Sequence, residues 1–194
     1  MSLRLLTAAD FRRLPWQNGR GTTLELVRHD DATGTLLWRL SVADVVEPGP
    51  FSPLPGIDRV ITLIDGNGFD LDFGGARPNV ALRPFEPLAF SGDWQTTATA
   101  VHGPSSDFNV MTARGKFVAE VEVAGTELPS AELAYVYAGC GSVTVTAGDR
   151  TVQAEAGELI ECRESEPIRV EADEPAAVLA VRLHRIDGVA MPSK

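Results

Sequence analysis

The chain has 194 residues, which is enough for one domain of ordinary size or for two small, closely packed ones. Hydrophobic residues make up 44% and charged residues 23%, a composition typical of a globular protein and not of a disordered one. The net charge of −10 excludes sequence-independent nucleic-acid binding and disfavours anionic membranes, because both need a basic surface.

Cysteine usage and the N-terminus predict a cytoplasmic protein. The N-terminal apolar run is too short for a signal peptide, and no segment approaches membrane-spanning length. The two cysteines, Cys140 and Cys162, have no CxxC spacing, so we expect two free thiols in a reducing compartment.

The only predicted helix is a single turn near the N-terminus. Thr7 is positioned to cap it, Asp10 to complete a capping box, and Pro15 to end it. The rest of the chain predicts an all-β protein with antiparallel strands and almost no helix, because short apolar runs alternate with Gly, Pro, Asn and Asp. The predicted strands are Thr22–Arg28, Leu36–Val45, Arg59–Ile64, Phe69–Phe73, Asn79–Leu82, Leu88–Phe90, Gln95–His102, Phe108–Ala113, Phe117–Val123, Leu133–Tyr137, Ser142–Ala147, Arg150–Gln153, Leu159–Cys162, Ile168–Glu171 and Val178–His184.

The chain contains an internal repeat. Residues 60–73 align with residues 133–146, so that Gly66 and Gly68 of the first G-x-G hairpin fall on Gly139 and Gly141 of the second. Such a repeat indicates a tandem duplication, and its order of strands and turns resembles the RmlC-like cupin fold, a jelly-roll β-barrel. We therefore expect a bicupin body over residues 1–186, divided into 1–115 (an N-terminal arm and the first cupin half) and 116–186 (the second half), with a tail at 187–194.

The sequence argues against a metal site, and no cofactor is expected. Metal-binding cupins use an H-x-H pair, a Glu and a later histidine, yet the corresponding stretch Phe51–Arg59 has no histidine. The three histidines, His29, His102 and His184, are far apart in the sequence.

Arg59 is the leading candidate for binding a small molecule. It lies where a Pro/Gly turn, Pro53–Gly56, enters an apolar strand. At a barrel mouth its planar guanidinium would bind a carboxylate bidentately. The alternative is a structural arginine at the rim, paired with Asp58 or Glu47.

Two alternating strands supply further candidates. In the strand Leu36–Val45, Arg39 and Ser41 share one face, and Trp38 shares the other with Leu40. Either Arg39 points to solvent, or Arg39 and Ser41 line the cavity beside Arg59. In the second, Asn109 and Met111 share a face, where they would offer one polar and one soft apolar contact, unless Met111 is a core residue and Asn109 serves the backbone.

A Gly-rich segment, Pro15–Leu26, precedes the first long strand. It does not suit nucleotide phosphates, because a strand and not a helix follows the glycines. It is instead interpreted as a loop over the barrel mouth, with Trp16 as an apolar wall and Asn18 as a polar contact. The alternative is that Trp16 anchors the N-terminal arm and Asn18-Gly19 forms a plain turn.

Taken together, these stretches resemble the HutD/Ves family of bicupins, over roughly residues 3–185. The motifs that carry the resemblance are Pro15-Trp16-x-Asn18-Gly19-x-Gly21-x-Thr23-x-Glu25, Trp38-Arg39-x-Ser41, Gly49-x-Phe51-Ser52-x-x-Pro55-Gly56-x-x-Arg59, Pro84-Phe85-x-Pro87-x-x-Phe90 and Asp107-x-Asn109-x-Met111. Arg20 departs from the pattern, because the family tends to have glycine at this position.

The resemblance implies a metal-independent regulator of bacterial histidine utilisation that binds a small carboxylate, such as urocanate or a formylglutamate-like compound. The ligand-binding residues would be Trp16, Asn18, Glu25, Arg39, Ser41, Arg59, Asn109 and Met111. No nucleophile with an adjacent base is visible, so the protein is expected not to be an enzyme. The alternatives are a metal-free hydrolase or isomerase with Glu25 as base, and a stress-response member of the same family. Exposed strand edges would also permit a homodimer.

Overall fold

The computed structural model describes residues 2–16, 21–165, 167–186 and 188–189. They form antiparallel sheets and a single three-residue 3₁₀ helix, Pro175–Ala177, which confirms the all-β prediction. No helix within these ranges is long and apolar enough to cross a membrane. The strands are β1 Ser2–Leu6, β2 Arg12–Pro15, β3 Thr22–Asp30, β4 Leu36–Val45, β5 Gly49–Pro50, β6 Ile57–Gly66, β7 Asp70–Asp72, β8 Val80–Ala81, β9 Leu88–Ser91, β10 Thr97–Thr99, β11 Ser105–Ala113, β12 Phe117–Val123, β13 Glu127–Leu128, β14 Ala131–Ala138, β15 Val143–Ala147, β16 Arg150–Ala154, β17 Leu159–Ser165, β18 Ile168–Ala172 and β19 Val178–Arg185.

The strands belong to two compact units. The first unit is Arg12–Phe117, with a six-stranded sheet in the order β2-β3-β4-β11-β6-β9 and a four-stranded sheet in the order β5-β10-β7-β8. The second unit joins the N-terminal residues up to Phe11 with Val118–Ile186. Its sheets have the orders β1-β17-β14-β19-β12 and β13-β18-β15-β16. The N-terminal strand β1 therefore groups with the C-terminal half, because it pairs with β17 along its whole length.

The same strand order occurs in both units. The run β9-β6-β11-β4 corresponds to β17-β14-β19-β12, and β5-β10-β7-β8 corresponds to β13-β18-β15-β16. Strands β6 and β14 occupy equivalent positions, and these are the strands that begin the two aligned repeats in the sequence. The two units therefore share a strand order, which extends over eight strands of each.

The core of the first unit contains residues from both of its sheets. Ile61 and Leu63 of β6 pack in one cluster with Leu71 of β7 and Ala98 of β10, and all four are almost completely buried. Aromatic rings fill the rest of this cluster; Phe73, for example, lies 5.5 Å from Phe90 between ring centroids.

The second unit contains an apolar core cluster. It consists of small aliphatic side chains such as Ala134, Val136 and Val145, together with Ile160 and Cys162. Burial raises the pKa of the Cys162 thiol to about 12, so the thiolate is scarce at neutral pH. This cluster therefore offers no group for binding a polar molecule, but the same unit also has a buried polar contact, in which the Tyr135 hydroxyl donates to the Glu161 carboxylate at 3.2 Å.

The predicted N-terminal helical turn is wrong. Thr7 and Asp10 do bond to each other's backbone, since the Thr7 amide donates to the Asp10 carboxylate at 3.0 Å and the Asp10 amide donates to the Thr7 carbonyl at 2.8 Å. These bonds close a turn, and the chain then enters strand β2, where Arg12–Pro15 pairs with β3. The capping signal was present, but pairing with a neighbouring strand decided the conformation of the following residues.

Candidate functional site

The central strand β11 brings the two predicted arginines together. Met111 of β11 is directly opposite Arg39 of β4 on one side and Arg59 of β6 on the other. Asn109 is likewise opposite Ser41 of β4. Residues directly opposite each other in a sheet point to the same face. Five of the predicted site residues therefore share one face of the six-stranded sheet.

The other face of these strands is mainly apolar, although Thr62 and Thr112 are also buried there. Trp38, Leu40 and Phe108 alternate with the polar residues and are completely buried. Of the two interpretations of the Trp38–Arg39 alternation, the one that places Arg39 and Ser41 beside Arg59 matches the register of the sheet. Arg39 is half-buried, whereas Ser41 is 1% exposed.

Arg59 is held between two aromatic rings. Its guanidinium carbon lies 5.1 Å from the ring centroid of Phe51 and 4.9 Å from that of Phe90, distances at which a cation is attracted to a ring face. Its Nη2 donates to the Oδ1 of Asn109 at 3.1 Å. The side chain is therefore fixed in orientation and only 6% exposed.

The positive charge of Arg59 has only neutral bonding partners. Its Nε has no hydrogen-bond partner, and no carboxylate forms an ion pair with it among the described residues. Burial lowers the pKa of Arg59 to about 10, against the opposing influence of the Asp107 charge. The alternative pairing with Asp58 does not occur, because Asp58 accepts instead from Arg114 at 2.9 Å.

A carboxylic acid lies at the far end of this polar row. Asp107 is 1% exposed, and its Oδ1 accepts from the side-chain amide of Asn109. Its Oδ2 is buried without a hydrogen-bond partner. Burial raises the pKa of Asp107 to about 7, although the bond from Asn109 and the charge of Arg59 both act to lower it.

Glu25 and Ser41 extend the polar face toward β3. Glu25 is opposite Ser41 in the register, is 5% exposed and lies 3.6 Å from the guanidinium of Arg12. The Oγ of Ser41 and the Nε of Arg39 are buried and lack hydrogen-bond partners. Burial also lowers the pKa of Arg39, with Glu25 opposing the shift.

The predicted loop over the barrel mouth is described only in part. The indole of Trp16 donates to the Thr23 hydroxyl at 2.9 Å, and its ring packs against the first-unit core. Asn18, the other predicted contact from this loop, lies outside the described residues, as does Arg20.

Three residues of this site were absent from the sequence-based set. Asp107 precedes Asn109 by two residues, so the alternation that selected Asn109 and Met111 also placed Asp107 on the same face. Phe51 and Phe90 belong to the motifs of the family resemblance, but no sequence pattern distinguishes a ring that packs on a cation from a ring in the core.

The histidines do not lie on this face. The His29 ring stacks on Trp38, with centroids 4.4 Å apart, and His184 lies 3.2 Å from Glu120 in the second unit. No group of three or more His, Cys, Asp or Glu residues suitable for a metal ion occurs in the described ranges.

The available hydrogen-bonding groups favour an anion as ligand. The unpartnered buried donors on this face are the Nε atoms of Arg39 and Arg59 and the hydroxyl of Ser41. An anion with several acceptor oxygens could satisfy these groups, because carboxylate and guanidinium match in charge and geometry.

Comparison with known proteins identifies close relatives. The HutD family model matches residues 8–180. An uncharacterised 21.2 kDa protein from the hutC 3′ region of Pseudomonas putida is 38% identical over 156 residues, which cover 78% of this chain and 81% of that protein. Protein Ves from Citrobacter koseri is 39% identical over 119 residues, which cover 59% of this chain and 62% of Ves.

Solved structures show the same fold. The structure of HutD from Pseudomonas fluorescens SBW25 has a TM-score of 0.82 and 26% identity, and covers 95% of this chain and 100% of that one. A conserved protein of unknown function from Pseudomonas aeruginosa PAO1 has a TM-score of 0.83 and 34% identity, with coverage of 94% and 99%. A cupin 2 conserved barrel domain protein from Leptotrichia buccalis, with a TM-score of 0.55, 11% identity and coverage of 88% and 92%, shows that the fold is cupin-like.

Proposed function

Because this chain belongs to the HutD family, we propose that it binds a small carboxylate on the polar face around Arg59 and thereby modulates histidine catabolism. The ligand class is that of urocanate and the formylglutamate-like intermediates. The binding needs no metal and no covalent step. It would take place in the cytoplasm, and the protein would act as a sensor or regulator.

The observation that carries this proposal is the neutral surrounding of a buried cation. Burying a guanidinium is unfavourable unless an anion or several hydrogen bonds compensate it. Arg59 has one hydrogen bond, to a neutral amide, and two aromatic contacts. A ligand carboxylate would supply the missing negative charge, and the aromatic rings would exclude water and strengthen the contact.

The neighbouring groups would orient the ligand. Arg39 and Ser41 contribute unpartnered donors from β4, Asn109 contributes an amide, and Met111 forms the apolar floor between the two arginines. Trp16 would close the site from the N-terminal loop, together with Asn18. Glu25 would repel a second carboxylate unless the bond to Arg12 offsets its charge.

We further propose that the two units are duplicated cupin halves, only one of which retains a site. The repeated strand order supports the duplication. The core cluster of the second unit is aliphatic, and the partly buried Arg163 of this unit is already paired with Glu161 at 2.8 Å, so this half would have no cation available for a carboxylate among its described core residues. That half would then serve as a structural or interaction platform.

A thermal-shift screen tests the proposed function. The pure protein would be melted with urocanate, N-formylglutamate, glutamate or formate, each with and without EDTA. A ligand that binds only the native state must raise Tm. We expect a rise with at least one carboxylate that EDTA does not change. A flat response to all four, combined with a lower Tm in EDTA, would overturn the proposal and indicate a metal site.

A further inference from the structure

We propose that Asp107 takes up a proton from solvent when a carboxylate binds beside Arg59, so that the protein binds its ligand more tightly as the pH falls. The inference rests on the proposed function, and it identifies Asp107 as the residue that couples ligand affinity to pH. The protonated acid would then be a hydrogen-bond donor toward the anion.

The geometry around Asp107 disfavours a permanent charge. The side chain is 1% exposed, and its one hydrogen bond comes from the neutral amide of Asn109. Its second oxygen is buried without a partner. Most buried carboxylates are paired with a cation or accept several hydrogen bonds. Asp107 has neither form of compensation, and its pKa of about 7 is consistent with that.

Asn109 links Asp107 to the binding group. The Asn109 amide nitrogen donates to Asp107, and its amide oxygen accepts from Arg59 at 3.1 Å. The two charged residues thus bond to opposite ends of one amide. A change of charge at Arg59 reaches Asp107 through this bond and through space, because the hydrogen bond from Asn109 and, after it, the electrostatic attraction of Arg59 both lower the pKa of Asp107 from the value that burial alone would give.

Charged neighbours of Asp107 come from several strands. Strand β6 contributes Arg59, which favours the ionised form, and β4 contributes Asp44, which opposes it. Farther along the same face are Arg39 of β4 and Glu25 of β3. The four-stranded sheet contributes Leu71 and Ala98 to the core of the same unit, and neither side chain can titrate.

Ligand binding changes this balance in one direction. An anion at Arg59 neutralises the cation that favours ionised Asp107. The charge of the anion offsets that of Arg59, and this single electrostatic effect raises the pKa of Asp107 in the complex above its value in the free protein. The complex therefore holds more protons than the free protein above pH 7, and linkage requires affinity to fall as the pH rises.

Calorimetric titration of the full-length protein with N-formylglutamate tests the coupling. Both carboxylates of this probe are ionised from pH 6 to pH 8.5, so its own charge is constant. We expect Kd to be about 10- to 30-fold weaker at pH 8.5 than at pH 6. At pH 8, titrations in buffers of different ionisation enthalpy should reveal uptake of close to one proton.

The variant D107N provides the control, because it keeps the shape and all three histidines but cannot titrate at this position. We expect its Kd to be constant over the same range and its binding heat to be independent of the buffer. If the unsubstituted protein shows a constant Kd and no proton uptake, the coupling is overturned but the proposed function is not. This outcome can be read without the D107N variant. Retention of the pH dependence in D107N would assign it to another group. Absence of binding at every pH would overturn the proposed function and the coupling with it.

Discussion

The guanidinium of Arg59 is hydrogen-bonded to the amide oxygen of Asn109, at 3.1 Å, and not to a carboxylate. An amide fixes the orientation of the cation without neutralising its charge. The charge is therefore available to an external anion, and this is the arrangement that a binding site requires and a structural ion pair lacks. Each of the following predictions depends on it or on the contacts that hold it.

Replacing Asn109 with aspartate should occupy the site internally. In N109D, the new carboxylate would pair with Arg59 and compete with the ligand, so we expect Kd for N-formylglutamate to weaken at least about 10-fold. Calorimetry measures the change. N67D adds the same charge at an exposed asparagine and should bind normally. An N109D protein with unchanged affinity would show that the anion does not bind at Arg59.

Removing the ring of Phe51 should weaken both binding and stability. F51A loses a cation–π contact worth about 0.5–2 kcal/mol and part of the apolar packing against Phe69. F51L keeps apolar volume but has no ring face. We expect Tm to recover in F51L while Kd stays several-fold weaker. Recovery of both properties in F51L would mean that the ring contributes only its volume.

Titration of Asp107 should be visible in the stability of the free protein. Its pKa is raised in the folded state to about 7, so the folded protein binds more protons than the unfolded one between about pH 4 and pH 7. The stabilisation from the protonated acid is complete below the unfolded pKa and is lost as the pH rises through 7. We expect the Tm of D107N minus that of the unsubstituted protein to become more positive from pH 5 to pH 8. A difference in Tm that stays constant from pH 5 to pH 8 would contradict the raised pKa of Asp107.

Arg114 should stabilise the turn that follows Phe51. Its backbone amide donates to the Gly56 carbonyl at 2.9 Å, and its guanidinium bonds to Asp58, Asp93 and Ser91. The hydrogen bond from Arg114 is the largest contribution holding the pKa of Asp93 at about 2, so these bonds persist in mild acid.

The expected result is a lower Tm in R114A than in R83A, a control that removes an exposed arginine with a single long ion pair. Arg114 links several segments, whereas Arg83 pairs only with its neighbour in the turn. Equal effects of the two substitutions in a melting experiment would show that the Arg114 bonds are weak in solution.

Much of the fold was predictable because it depends on local patterns. Alternation and turn residues located the long strands, and the internal repeat anticipated the shared strand order of the two units. The short strands Gly49–Pro50 and Glu127–Leu128 are absent from the predicted strands, since two residues carry no periodicity. The N-terminal strand was missed for a different reason: its partner, β17, is more than 150 residues away.

The site was predictable where it followed alternation along one strand. Asn109 and Met111 were selected in this way, and Arg39 was left between two interpretations because alternation does not reveal which face is polar and buried. Pairing across strands resolves that choice, since β11 aligns Met111 with both arginines. The burial of Asp107 depends on the packing of several strands, so no local sequence pattern predicts it.

The central claim is that Arg59 binds the ligand carboxylate, and calorimetric titration of R59A with N-formylglutamate tests it most directly. R77A is the matched control, because Arg77 also lies over a phenylalanine ring of the same unit, 5.2 Å from its centroid. We predict that R59A weakens binding about 100-fold or more while keeping a cooperative thermal transition, and that R77A binds within about twofold of the unsubstituted protein. Unchanged affinity in R59A would contradict the claim. If R59A loses its thermal transition, R59K replaces it as the test, and a folded R59K that binds within about twofold of the unsubstituted protein would contradict bidentate recognition by Arg59.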